Sequence, residues 1–264
     1  MKEHRLEQIL AYLNANGSAQ IADLAAQFGV SPMTIRRDLD ELARGDHLVR
    51  THGGALPIQH STMVDTPFSN RLNAAPAKKA AIAALARTTI VPQQNVFLSS
   101  GTTVHTLAKT LAGHVSMTIV TDAINIAYEL VSCPGLTIIL IGGEMRSTTF
   151  STTGIVAEEA LRAFRFDAAY IGATAVSEDG TVYLGSIAEL GIAQHVLSTT
   201  KNVYFLVDST KLGQRDFIRL CELGPHITLV TNDDAPAAYI ANYQALGTAV
   251  LLAASTAPDG DTPG

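Results

Sequence analysis

At 264 residues, 47% of them apolar and 16% charged, the chain is long enough for two domains with real cores, which excludes a disordered protein. It holds no run of 18 or more apolar residues, and its charged start, MKEHRLEQIL, lacks the apolar run of a signal peptide; both exclude a helical membrane span and point to the cytoplasm. A formal net charge of −6 (18 Lys+Arg against 24 Asp+Glu) excludes a general attraction to nucleic acid, so any such site must be local.

Leu6, Ile9, Leu10 and Leu13 recur at helical spacing and predict a first helix, ended by Gly17. Ile21, Leu24, Ala25 and Phe28 predict a second, broken at Gly29. Ser31 suits an N-cap and Pro32 the first helical position of a third, with Ile35, Leu39 and Leu42 on one face. Two short helices across a tight Gly-containing turn are a helix-turn-helix arrangement. HLVRTHGGALPI then reads as a hairpin: a strand from Leu48 to Thr51, a turn at Gly53-Gly54, and a second strand. Together these predict a winged helix over residues 1–58. Residues 59–77, polar and aperiodic with Pro67 and Pro76, read as a linker.

Residues 78–253 change pattern. An Ala-rich helix is followed by short apolar runs: NVFLS, MTIVT, LTIILI, DAAYIG, NVYFLVD and ITLVT. They are almost free of charge, β-branched, and separated by enough chain for crossover helices. The fold class is therefore α/β: a winged helix-turn-helix followed by a largely parallel α/β domain. Residues 254–264 read as a disordered tail. Cys133 and Cys221 have neither metal nor redox spacing and read as two buried thiols in a reducing compartment.

Along the third helix, Met33, Arg37, Asp40 and Arg44 fall opposite the apolar stripe, and Thr34 and Arg36 flank it. An outward face with Thr and Arg at the start of the second helix of the motif suits a reader of the DNA major groove. The competing reading is surface ion pairing of Arg36 and Arg37 with Asp38, Asp40 or Glu41. The whole stretch SPMTIRRDLDELARGDHLVRTHGGA resembles the N-terminal domain of DeoR-family bacterial transcriptional regulators over roughly residues 3 to 58. The resemblance implies a DNA-facing set of Gln20, Ser31, Met33, Thr34, Arg36 and Arg37, with Arg50, Thr51, His52, Gly53 and Gly54 on the wing. Residues 1–60 carry six Lys+Arg against seven Asp+Glu. One such module binds DNA weakly, so the expected assembly is a homo-oligomer, dimer or tetramer.

In FLSSGTTVHTLAKTL an apolar strand ends at Gly101, Thr102 and Thr103, and a helix begins. Backbone N–H groups and threonine hydroxyls at a helix start can hold phosphate, although an ordinary capped turn has the same sequence. Asp122, Gly172, Asp208 and Lys211 lie at other strand ends, where open α/β sheets bind ligands. Lys211 can neutralise a phosphate or simply pair with Asp208; Arg146, near Gly142-Gly143, can hold an anion or stay solvated. SSGTT, IVTDAINIA, IGGEMR, STTGIVAEEAL, DAAYIGATAV and VDSTKLG resemble the DeoR-family sensor domain, through about residue 232. That domain is related to ribose-5-phosphate isomerase. The resemblance implies a phosphorylated sugar held by Gly101, Thr102 and Thr103, with Glu189 and Lys211 lining the pocket. Two positions depart from the pattern: Ser99 stands where the family has Asp, and Ala193 where it has Lys.

The implied function is a sequence-specific transcriptional regulator, a repressor of a sugar-catabolic operon, that binds an operator and a phosphorylated sugar and needs no cofactor. The rivals are a sugar-phosphate isomerase with a DNA-binding appendage and an effector-independent architectural binder. His105, His114 and His195 do not have metal-ligand spacing, and no metal is expected.

Overall fold

The computed structural model describes residues 2–16, 19–44, 48–50, 53–57, 67–111 and 116–254. The chain forms two compact units, Met1–Pro67 and Phe68–Gly264.

The first unit contains α1 (Lys2–Asn16), β1 (Ala19–Gln20), α2 (Ile21–Phe28), α3 (Pro32–Arg44), β2 (Leu48–Arg50) and β3 (Gly54–Pro57). Ile9, Leu13, Leu24, Ile35 and Leu39, one stripe from each helix, are completely enclosed and form its core. Each such side chain contributes roughly 1.5–3 kcal/mol when fully buried. Gly29 ends α2 in the left-handed region at φ 62°, and its N–H reaches the Ala25 carbonyl. Ser31 caps α3: its Oγ accepts from the Thr34 N–H at 3.2 Å. The strands pair antiparallel in the order β1-β3-β2. Gly54 faces Gln20 across this ladder, and a Cβ there would overlap the Ala19 carbonyl oxygen. A glycine is therefore required at 54 by close backbone approach. The expected helix end at Gly17 and the wing residues Thr51 and His52 lie outside the described residues.

The second unit opens with α4 (Phe68–Asn73) and α5 (Pro76–Arg87). Residues 68–73 were expected to be linker and are instead helical. Pro67 and Pro76 read as breakers but sit at helix starts, where a proline costs no hydrogen bond. Phe68 is buried, with its ring edge-on to His105 at 5.4 Å and to Phe150 at 5.7 Å. Residues 58–66 lie outside the described residues.

There follow β4 (Asn95–Leu98), α6 (Thr102–Lys109), β5 (Met117–Thr121), α7 (Ile124–Leu130), β6 (Leu136–Leu140), β7 (Glu144–Arg146), β8 (Ser151–Thr153), α8 (Ile155–Leu161) and β9 (Phe166–Gly172). The chain continues through β10 (Ala175–Val176), β11 (Thr181–Leu184), α9 (Leu190–Thr199), β12 (Thr200–Leu206), β13 (Ile218–Glu222), β14 (Ile227–Asn232), α10 (Ala237–Ala245) and β15 (Ala249–Ala253). Seven strands form one parallel sheet in the order β15-β14-β12-β9-β4-β5-β6. Alternate residues enter different cores, as the strand period of two demands. Phe97, Ala169, Phe205 and Leu229 pack with α8, α9 and α10; Val96, Leu98, Tyr170, Leu206 and Val230 pack with α5, α6 and α7. Helices thus cover both faces. The six anticipated strands are present, and β15 adds a seventh from residues that carried no strand expectation. The short antiparallel pairs β7-β8 and β10-β11-β13 were not anticipated either.

From β4 the chain winds outward through β5 and β6, then returns to β9 on the other side of β4 and winds the opposite way. The β4/β9 junction is the reversal point of the sheet, where α/β folds place ligands. Cys133 and Cys221, expected to be buried, are free thiols that are only half-buried.

Candidate functional site

On the first unit, Arg36 and Arg37 are exposed on α3, and Met33 is 55% exposed beside them. Two of the three acidic competitors, Asp38 and Asp40, have other partners. Asp38 is buried and takes two hydrogen bonds from Arg5, at 2.6 and 3.2 Å. Asp40 pairs with Arg50 Nε at 3.5 Å. Among the described residues Arg36 and Arg37 have no ion-pair partner, so the surface-pairing reading does not hold for Asp38 or Asp40. The hydroxyls of Ser31 and Thr34 lie 3.0 Å apart, which ties both to the cap. Gln20 and Gly53 are exposed at the β1–β3 edge.

On the second unit, the backbone beyond β4 and β9 is locked together. Ser99 N–H donates to the Tyr170 carbonyl at 3.0 Å, and Gly172 N–H donates to Ser99 Oγ at 3.2 Å. Gly101 follows at φ 157°, a conformation that favours glycine; a Cβ there would meet Gly172 Cα at 3.9 Å, an ordinary contact. A cleft opens here, walled by Ser99, Ser100, Asp122, Gly172 and Glu189, with Phe97, Ile171, Leu184, Ile192 and Ala193 as its apolar side. Thr102 and Thr103 start α6 and are almost wholly buried, 4% and 3% exposed.

Asp122 sits at the end of β5 and accepts from the Ser100 N–H at 2.9 Å. Burial, and then the neighbouring Glu189 carboxylate, push its pKa up to about 7 against that hydrogen bond. Glu189 accepts from Arg146 Nη1 at 2.9 Å; its pKa is raised by burial, with the Arg146 charge and then the Arg71 charge opposing. Arg146 is thus an ion-pair partner rather than a solvated side chain. Lys211 Nζ donates to the Ala173 carbonyl, next to Gly172, at 3.0 Å, and lies 3.9 Å from Asp208 Oδ2. Burial lowers the Lys211 pKa, and Asp208 opposes. Of the anticipated residues, Asp122 and Glu189 line the cleft, and Arg146 adjoins it through Glu189; the lining does not include Gly101, Thr102, Thr103, Asp208 or Lys211, of which Lys211 reaches the Ala173 carbonyl next to Gly172.

Comparison with known proteins turns this geometry into a family assignment. Residues 5–61 match the DeoR-like helix-turn-helix domain, and residues 74–233 match the DeoR C terminal sensor domain. The chain belongs to the DeoR family. Among its relatives is the glycerol-3-phosphate regulon repressor of Escherichia coli K12, 31% identical over 213 residues, 80% of this chain and 83% of that protein. Another is the lactose phosphotransferase system repressor of Staphylococcus epidermidis, 32% identical over 235 residues, 88% of this chain and 93% of that protein. Ribose 5-phosphate isomerase A of Methanocaldococcus jannaschii is a structural neighbour at 16% identity and a TM-score of 0.37, over 51% of this chain and 53% of that one.

This DeoR-family protein is a DNA-binding transcriptional regulator. Its two departures from the family pattern, Ser99 and Ala193, both fall on the cleft wall. Among the described residues, no group of three or more His, Cys, Asp or Glu is placed to hold a metal ion, and no helix is long and apolar enough to cross a membrane. Sequence reasoning missed Ser100. Ser100 contributes through its backbone N–H, which leaves no trace in residue type.

Proposed function

We propose that this regulator is a cytoplasmic repressor of an operon for sugar or sugar-phosphate use. It reads its operator with Arg36 and Arg37 on α3, helped by Gln20, Ser31, Met33, Thr34 and the wing residues Arg50 to Gly54. The observation that carries the reading is the exposure of the two arginines, which have no ion-pair partner among the described residues, beside the Asp38 and Asp40 carboxylates that Arg5 and Arg50 occupy. Guanidinium groups left free in this way can fork onto guanine or clamp phosphate. A near-neutral reader needs several copies, so the working form is a homo-oligomer built through residues 78–250.

A phosphorylated sugar in the β4/β9 cleft relieves repression, with Gly101, Thr102, Thr103, Asp122, Arg146, Glu189, Asp208 and Lys211 as the residues nearest it. Two relatives are repressors named for glycerol-3-phosphate and for a sugar phosphotransferase system, which supports this effector class. Ser99 and Ala193 bring neither carboxylate nor ammonium to the wall, and each lost charge-assisted hydrogen bond is worth about 1.5–3 kcal/mol. Common hexose and pentose phosphates therefore bind weakly. A gel-shift titration on the region upstream of neighbouring genes, with and without a panel of sugar phosphates, tests both halves. Specific retardation released by a sugar phosphate is expected; retardation indifferent to all of them would leave an architectural binder.

One observation favours the isomerase reading: Asp122, with a pKa near 7, has the protonation behaviour of an acid–base group. Its neighbour Glu189 is tied to Arg146, which leaves no second free carboxyl in the cleft. A coupled aldose–ketose assay on the full chain is expected to show no turnover.

A further inference from the structure

The seven-stranded sheet ends at β15 on one side and at β6 on the other. Among the described strands β6 pairs only with β5, in a continuous register without a bulge. The Met117 N–H donates to the Gly135 carbonyl, and the Ile141 N–H to the Thr121 carbonyl. A strand turns the backbone groups of every second residue to one side, so Thr137 and Ile139 also face β5. The N–H and C=O of Ile138 and Leu140, and the C=O of Leu136, therefore point outward. The Leu136 N–H donates to the Cys133 carbonyl at 3.3 Å.

Such an open row is a template for another strand, and proteins ordinarily guard it with Lys, Pro, a bulge or an inward charge. The sequence of β6, LTIIL, has none of these. From Leu130 to Gly143 the chain carries no charged residue at all. The surface beside the edge is apolar too. On α7 the inward face is Ala123, Ile126 and Leu130. Glu129 lies on one flank and reaches toward α6, 3.8 Å from His105 Nε2. Ile124, Tyr128 and Val131 lie on the other flank, away from α6 and hence toward the outer edge of the sheet. Tyr128 is 83% exposed and Val131 65%, and Leu140 of β6 is exposed as well. The opposite edge is different. Leu252 is exposed on β15, but α10 beside it presents Ala238, Ala241, Asn242 and Gln244 to solvent.

The geometry points to a second copy of this chain as the occupant of this surface. β6 pairs antiparallel with the same strand of the copy, about a two-fold axis at Ile138, and the two α7 flanks cover each other. In this register Ile138 N–H donates to the Ile138 carbonyl of the copy and Leu140 N–H to the Leu136 carbonyl, each bond being returned by symmetry. Charge selects the place. Two chains of net charge −6 repel each other, and a charge-free strand opposite itself sets no like charges together. The inference rests on the homo-oligomer reading given above and deepens it by naming the strand and helix that meet.

Two measurements on the full chain test it. The first is light scattering at micromolar concentration. Wild type is expected to be at least a dimer. The double variant Tyr128→Lys with Leu140→Lys charges the exposed flank, and Leu140→Pro removes one outward N–H that the β5 ladder does not use. Both are expected to be monomers, whereas Leu252→Lys, on the other edge, keeps the wild-type assembly. A folded variant of either kind that still assembles as wild type overturns the role of β6 but leaves the homo-oligomer standing, as does dissociation by Leu252→Lys alone. A monomeric wild type sinks both. The second measurement needs no variant: amide hydrogen exchange of the assembled wild type, followed residue by residue by NMR. The Ile138 and Leu140 amides are expected to exchange as slowly as those of Thr137 and Ile139, which face β5. Exchange of Ile138 and Leu140 roughly tenfold or more faster than these two, in the assembled protein, overturns the pairing even where the variants do not fold.

Discussion

Arg5 and Arg50 occupy the Asp38 and Asp40 carboxylates on α3, and among the described residues Arg36 and Arg37 have no ion-pair partner. Replacing both with Ala is expected to abolish specific operator retention in a filter-binding titration, at about 1–3 kcal/mol for each lost base contact. The melting temperature should hardly move, because neither side chain enters the core. Unchanged affinity would mean that α3 is not the reading helix. Asp122 gives a prediction of a different kind. Its folded pKa, about 7, lies above the ordinary 3.8. Between those values the folded chain keeps a proton that the unfolded chain has released. Stability therefore falls as pH rises from about 4 through 7. Asp122→Asn removes this dependence. Relative to wild type it should gain stability between pH 5 and pH 8, by at most ~3 kcal/mol. Urea titrations at the two pH values measure it, and a constant difference would show that the carboxyl ionises normally.

At the scale of elements, the wing depends on a single close approach. In Gly54→Ala the new methyl would overlap the Ala19 carbonyl oxygen, so β1 and β3 must separate. A loss of about 1–3 kcal/mol in the stability of the first unit is expected, read as a lower urea midpoint, with operator affinity falling alongside. A midpoint equal to wild type would show that the ladder yields without cost. The same scale shows what could be read in advance. The helices of the reader were legible because Leu, Ile and Ala recur at a fixed period and Ser31-Pro32 marks a helix start. The six long strands were legible because a strand buried on both faces must be apolar throughout. The two residues of β10 and the polar SerThrThr of β8 carry no such constraint, since two or three residues cannot show a period. The α4 helix was hidden because six residues anchored by one buried Phe68 look like coil. The cleft was half legible: glycines and acids at strand ends advertise a switch point, whereas the Ser100 N–H that donates to Asp122 is a backbone group with no mark in residue type.

For the whole molecule, a reader with almost no net charge must gain affinity by being used more than once. Light scattering at micromolar concentration is expected to show at least a dimer, and residues 68–264 alone should keep that state. A monomer with full operator affinity would contradict it. The winding of the sheet has a further consequence, for the newborn protein. Val96 finds its partner Ala168 only 72 residues later in the chain, so no cleft exists until the segment through Gly172 has left the ribosome. The reader unit ends at Pro67. At about 5–20 residues per second of synthesis, that gap lasts roughly 5–20 s. For that interval each nascent chain carries a finished reader and no receptor. Its grip on DNA is then that of one weakly charged module, indifferent to the metabolic state of the cell.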